Sequence, residues 1–101
     1  MFPETAQETE HLLGEAVDYE KMWKIFIHND DVTPMDFVIY VLQHIFFLAA
    51  VDALDVMYTA HYLGSAYVQT CGKAEAEKRV ARAHFAAGLE GYPLHFTIEK
   101  E

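Results

Sequence analysis

The stretch His28-Asn29-Asp30-Asp31-Val32-Thr33-Pro34-Met35 constrains the fold more than any other part of the chain. An apolar run with strand-like alternation ends at it, and an apolar run with helical spacing begins after it. Asn29, Asp30 and Asp31 set three oxygen acceptors in a row, and such side chains favour turns because they bond neighbouring backbone groups. Thr33 is well placed as a helix N-cap. Pro34 suits the first helical position, and Asp36 falls three residues after Thr33 as a capping-box partner. A polar turn wedged between two apolar elements is where a site is expected.

The flanks follow from their periods. Met22 to His28 predicts a strand, with Trp23, Ile25 and Ile27 alternating with Met22, Lys24, Phe26 and His28. Phe26 on the second face implies that neither face is fully wet. After the turn a helix is expected to about Phe47, with Phe37, Val38, Val41, Leu42 and Ile45 on its apolar face. A second helix, about Val51 to Leu63, carries Val51, Leu54, Met57, Tyr58 and His61 at spacings of 3 and 4, and Gly64 is its stop. Ser65 to Thr70 predicts a short strand, and Gly72-Lys73 turns the chain. Lys73 to Ala87 predicts a third helix with a small-residue stripe of Ala76, Val80, Ala83 and Ala87, ended by Gly88 and Gly91. Pro93 to Ile98 predicts the last strand, with Leu94, Phe96 and Ile98 on one face. The order is β-α-α-β-α-β. The economical solution is a small α/β (α+β) domain with one three-stranded sheet and three helices on one of its faces.

Composition bounds the rest. A chain of 101 residues that is 52% hydrophobic supports one domain and not two. Residues 1–20 hold Glu4, Glu8, Glu10, Glu15, Asp18 and Glu20 and few apolar positions, so a flexible acidic tail is expected ahead of a core domain at 21–101. A short helix around Leu12 to Val17 is the competing reading. Sixteen acidic against seven basic residues give a formal charge of −9, which argues against nucleic acid and against an anionic membrane surface. Cys71 is the one cysteine. No intrachain disulfide is possible, and a reducing, cytoplasmic setting is expected. Met1-Phe2-Pro3-Glu4 lacks the pattern of a secretory signal. The longest apolar run, Phe37 to Val51, is interrupted by Gln43 and His44 and falls short of the roughly 20 residues a spanning helix needs.

The candidate chemistry centres on Asn29, Asp30 and Asp31 with His61. Asn supplies a carbonyl, Asp a carboxylate and neutral His one lone-pair nitrogen. Such a set matches an ammonium group, with its one charge and three donors, better than a planar guanidinium. His28, Asp30, Asp31 and His61 are also metal-ligand types. No HxxxH, HExxH or CxxC spacing occurs, so neither a metal nor another cofactor is expected. Cys71 and Ser65 lie outside any nucleophile-elbow context, so the chain is not expected to be an enzyme. Met35, Val38, Met57 and Leu94 are core candidates, and methionine also lines pockets that accept flexible apolar guests.

With those residues in view, the sequence from about Met22 to Lys100 resembles the ClpS family of N-degron adaptors. The resemblance rests on Asn29-Asp30-Asp31-Val32-Thr33-Pro34-Met35-Asp36-Phe37-Val38, on Val41-Leu42-Gln43, on His61 with Gly64, and on Pro93-Leu94 followed by Thr97-Ile98-Glu99-Lys100. It implies a fold similar to the C-terminal domain of the ribosomal stalk protein. It implies an adaptor, without bond chemistry of its own, that binds proteins beginning with Phe, Tyr, Trp or Leu and hands them to the ClpA-type AAA+ unfoldase of the ClpAP protease in bacteria. The resemblance assigns Asn29, Asp31 and His61 to the substrate's α-amino group and Asp30 to the start of its backbone. Ile27, Thr33, Met35, Val38, Met57, Ala60 and Leu94 would line the side-chain pocket, with Met35 as a gate against β-branched first residues. The tail would serve delivery rather than binding. Three features depart from the family pattern. Ala60 stands where a larger aliphatic residue is common, the segment Val68 to Gly72 departs from the usual pattern, and Ala74 stands where an acidic residue is often found on the docking face, leaving Glu75 and Arg79 as the docking candidates. The alternative is a peptide-binding module of the same fold serving a different protease or partner.

Overall fold

The computed structural model describes residues 22–101. The expected acidic tail at 1–20, with its competing short helix, lies outside the described residues, as does Lys21. Strand β1 (Met22–His28) is the middle of a three-stranded sheet of order β2-β1-β3. Strands β2 (Ser65–Gly72) and β3 (His95–Lys100) both run antiparallel to it. Three helices complete the order β-α-α-β-α-β: α1 (Met35–His44), α2 (Ala50–Leu63) and α3 (Lys73–Glu90).

The alternation in β1 decides which sheet face is covered. Ile25 and Ile27 are fully buried, and Ile27 is paired with Ala66 on one side and Phe96 on the other. These residues join Val38, Val41 and Leu42 of α1, Ala53, Met57 and Ala60 of α2, and Ala76, Ala83 and Ala87 of α3 in one buried cluster. Phe46 closes it, its ring stacked on Phe96 at 4.7 Å between centroids. On the opposite face Phe26 is half-buried and meets the Tyr67 ring edge-on at 6.0 Å, so that face is not fully wet. Among the described residues no helix is long and apolar enough to cross a membrane.

Several expectations are corrected in detail. Thr33 is not the N-cap of α1. Pro34 occupies that position with extended backbone and no side-chain cap bond, because the Thr33 hydroxyl donates to Asp30 Oδ2 at 2.9 Å instead. Asp36 therefore completes no capping box, although it stays in the first turn, where a negative charge suits the helix dipole. Helix α1 ends at His44 rather than Phe47. The chain must turn there to drive Phe46 into the core, and Phe47 takes a positive φ of 60° to do so. In α2 the buried face is Ala53, Met57 and Ala60, whereas Val51, Leu54 and Tyr58 are exposed. Both sets have spacings of 3 and 4, and the smaller side chains are the ones that pack on the core. Helix α3 runs through Gly88 to Glu90 and stops at Gly91, whose φ of 77° allows Tyr92 N–H to bond the Ala87 carbonyl at 2.9 Å. Strand β2 extends to Gly72, with a shift in register between Ile25 and Phe26 of its partner. Strand β3 begins at His95, after Pro93 and the buried Leu94.

Candidate functional site

The end of β1, the turn after it, the start of α1, the C-terminal half of α2 and Leu94 enclose a cavity of about 310 Å³. Ile27, Asn29, Asp30, Asp31, Thr33, Met35, Val38, Met57, Ala60, His61 and Leu94, the residues singled out in the sequence, all line it. Its floor is apolar, since Ile27, Val38, Met57, Ala60 and Leu94 are buried. Its rim is open, since Asn29, Asp31, Met35 and His61 are exposed. His28, Val32 and Pro34 also line it. They belong to the stretch expected to hold the site, although the sequence suggested His28 only as a metal-ligand type and gave Val32 and Pro34 no place in a pocket.

Two local devices set the rim. The Asn29 N–H donates to the Gly64 carbonyl at 2.9 Å, and the Gly64 N–H donates to the Ala60 carbonyl at 2.8 Å. Gly64 has a φ of 97°, a left-handed C-cap that few other residues tolerate. Together these bonds bring the end of β1 to the last turn of α2, so Asn29 and His61 share one end of the cavity. The second device is Asp30. Its Oδ1 accepts the Val32 N–H at 2.8 Å and the Thr33 N–H at 2.6 Å, and its Oδ2 accepts the Thr33 hydroxyl. Partial burial alone would raise the Asp30 carboxyl, but these three donors outweigh it and hold the group below its ordinary value. A carboxylate has about four acceptor sites, so Asp30 braces the turn and keeps one lone pair in reserve.

The arrangement offers acceptors at the rim and apolar surface below. Asn29, Asp31 and His61 present an amide, a carboxylate and an imidazole, a set suited to a protonated amine. Among the described residues no cluster of His, Cys, Asp and Glu is placed to hold a metal ion. Cys71 pairs with Trp23, and Ser65 pairs with His28 at the opposite end of β1. Burial raises the Cys71 thiol, Arg79 lowers it and Glu75 raises it, with a net upward shift. It is thus held as a thiol rather than primed as a nucleophile.

Glu75 and Arg79 lie apart from the cavity, on the first turns of α3. Arg79 Nε donates to Glu75 Oε2 at 2.8 Å, and its Nη1 donates to Gln69 Oε1 at 2.9 Å. Gln69 Nε2 in turn donates to the Phe46 carbonyl at 2.9 Å. The guanidinium covers the exposed Phe47 ring, 4.9 Å from its centroid. This network pins the α1–α2 connection to α3 and holds the Arg79 side chain in one place.

Residues 18–97 match the family model described as ATP-dependent Clp protease adaptor protein ClpS. The chain is 38% identical to the ATP-dependent Clp protease adapter protein ClpS of Nitratidesulfovibrio vulgaris, over 97% of this chain and 98% of that one. It is 41% identical to the adapter protein ClpS 1 of Rhodopseudomonas palustris, over 84% and 82% of the two chains. Among solved structures it is similar to Agrobacterium tumefaciens ClpS2 bound to L-phenylalaninamide, with a TM-score of 0.77 and 39% identity over 81% of this chain and 99% of that one. With the family model spanning most of the chain and its fold matched by a solved ClpS structure, the chain belongs to the ClpS family of Clp protease adaptor proteins.

Proposed function

We propose that the cavity binds the free N-terminal residue of a protein when that residue is Phe, Tyr, Trp or Leu. The chain then delivers this substrate to a ClpA-type AAA+ unfoldase of the ClpAP protease in the cytoplasm. The observation that carries the reading is the division of one cavity into an acceptor-bearing rim and an apolar floor. The ligand described for the A. tumefaciens relative supports it. L-phenylalaninamide has a free α-amine, an aromatic side chain and a neutral amide where a peptide bond would continue.

Two conditions act together. Burying a Phe- or Leu-sized side chain contributes about 1.5–3 kcal/mol. Each charge-assisted bond from the α-ammonium to Asn29, Asp31 or His61 contributes roughly 1.5–3 kcal/mol before desolvation is subtracted. An internal Phe brings no ammonium and would leave those acceptors unpaired. A polar first residue would lose its water to the apolar floor. Asp30 meets the first peptide unit with its remaining lone pair, and Met35 at the rim limits branching at the first side chain. Delivery uses the face of α3 that carries Glu75 and Arg79, with the acidic segment 1–20 assisting.

Fluorescence polarisation with peptides varied only at the first residue tests the reading. Tight binding is expected for Phe, Tyr, Trp and Leu, and loss of binding on N-acetylation. Equal binding of free and acetylated peptides would overturn it. Delivery is tested separately, by whether the chain accelerates degradation of a Phe-initiated protein by ClpAP.

A further inference from the structure

The cavity uses only one edge of α2. Leu54 and Tyr58 lie beside that edge and are 41% and 46% exposed. Leu54 precedes Met57 by three residues, and Tyr58 precedes His61 by three. Residues so spaced are neighbours on a helix surface, with about 5–6 Å between their Cβ atoms. Val51 and Tyr62 extend the strip at either end, and both are exposed. The Tyr58 and Tyr62 rings stack at 6.3 Å, and Tyr62 meets the His61 ring edge-on at 4.8 Å. An apolar strip therefore begins at the cavity rim and runs back along α2. Nothing in the core requires it, because α2 packs through Ala53, Met57 and Ala60.

We infer that Leu54 and Tyr58 form a second subsite, which takes an apolar third residue of the peptide whose first residue fills the cavity. The inference rests on the reading of the cavity given above. Direction comes from the rim. Asn29 and His61 both line the cavity, and the Asn29 N–H bond to the Gly64 carbonyl puts that end of it beside the C-terminal turn of α2. A peptide whose amine is held there and whose chain follows the apolar strip runs toward the helix N-terminus. Reach comes from chain geometry. Tyr58 and Leu54 lie about 4.5 and 10.5 Å from His61 along the helix axis, at 1.5 Å per residue. In an extended peptide the first and third side chains point to the same side and are about 6.6 Å apart. The third side chain thus falls between Tyr58 and Leu54, while the second points to solvent. A second copy of the chain fits the strip poorly. It would set Asp52 and Asp55 of two chains, each of formal charge −9, against one another.

The test uses the full chain and peptides of sequence Phe-Ala-X-Ala-Ala, with X as Leu, Ala or Ser. The wild type is expected to bind X = Leu about 3–10-fold more tightly than X = Ser, as for a half-buried leucine. The double variant Leu54→Gln/Tyr58→Gln is expected to bind all three alike and L-phenylalaninamide as the wild type does. A flat response to X in the wild type would overturn the subsite, and so would an unchanged preference in the variant. A dimer by sedimentation that the double variant abolishes would assign the strip to self-association and overturn it too. Failure of the wild type to bind L-phenylalaninamide would instead overturn the cavity reading beneath it.

Discussion

The Asn29 N–H and the Gly64 carbonyl, 2.9 Å apart, join the end of β1 to the end of α2. That single bond crosses the cavity rim. It brings the amide of Asn29 and the imidazole of His61 to the same end of one cavity, although the two residues are far apart in sequence. The bond exists only because Gly64 leaves the helix with a φ of 97°.

Gly64→Ala is therefore expected to lower stability and binding together. A Cβ at this position would meet nothing within 4 Å, so the penalty is backbone strain and not a clash. A left-handed conformation costs an L residue roughly 1–2 kcal/mol. Thermal denaturation should show a lower Tm, and affinity for a Phe-initiated peptide should fall. Gly64→Asn should be milder in both, because asparagine tolerates this region better. Equal Tm values for the glycine and alanine forms would refute the assignment.

Thr33→Val removes one of the three donors to Asp30 while keeping the side chain's shape. The loss of one hydrogen bond is worth about 0.5–1.5 kcal/mol. The rim should loosen more than the core, so peptide affinity is expected to fall with only a small change in Tm. The Asp30 carboxyl should also move up toward its ordinary value, which carboxyl-resonance NMR titration would detect. An unmoved Asp30 titration would show that the hydroxyl contributes nothing to that carboxylate.

Ala60 sits in the cavity floor at 3% exposure. Ala60→Val adds two methyl groups there. Crowding of this kind costs roughly 1–3 kcal/mol, and the largest guests should suffer most. Affinity for Trp- and Tyr-initiated peptides is expected to drop relative to Leu. An unchanged ranking in a competition assay would mean that the Ala60 wall does not touch the guest.

What the sequence made legible was the part set by short-range rules. The alternation of Trp23, Ile25 and Ile27 marks β1, and Gly64 marks the end of α2. The turn from Asn29 to Met35 announces itself by its acceptors and its proline, and most of the cavity's polar lining comes from that one stretch. Met57 and Leu94 were legible only as core residues that could also line a pocket, and Ala60 joined the candidate site through family resemblance alone, because nothing local ties these three to the turn. The failures share a cause: two local solutions satisfied the pattern, and tertiary packing chose. The Thr33 hydroxyl could cap α1 or brace Asp30. Helix α2 could bury Leu54 and Tyr58 or Ala53 and Ala60. Phe46 and Phe47 could continue α1 or turn, and burial of Phe46 against Phe96 selected the turn.

His84 of α3 accepts the Phe96 N–H at Nε2, 2.9 Å away, and so tethers β3 just beyond Leu94 of the cavity floor. The bond requires a neutral nitrogen. The His84 ring stacks on His95 at 5.5 Å, and His95 faces His28 at 5.5 Å, whose Nε2 lies 2.8 Å from Thr97 Oγ1. Burial first, and the nearby His95 second, push the His84 imidazole below its ordinary value of 6.5. The unfolded chain therefore binds more protons at this site than the folded one, and stability rises with pH across the interval. The contribution is fully present above about 6.5 and is lost as pH falls toward the folded value. His84→Gln keeps an acceptor for Phe96 and does not titrate. Thermal melts from about pH 7.5 down to about pH 5.5 should show a steeper fall in Tm for the wild type than for this variant. His84→Leu, which removes the acceptor, should be less stable than the wild type at the upper end of that range. Parallel pH profiles for the wild type and His84→Gln would show that protonation of His84 is not what loosens β3.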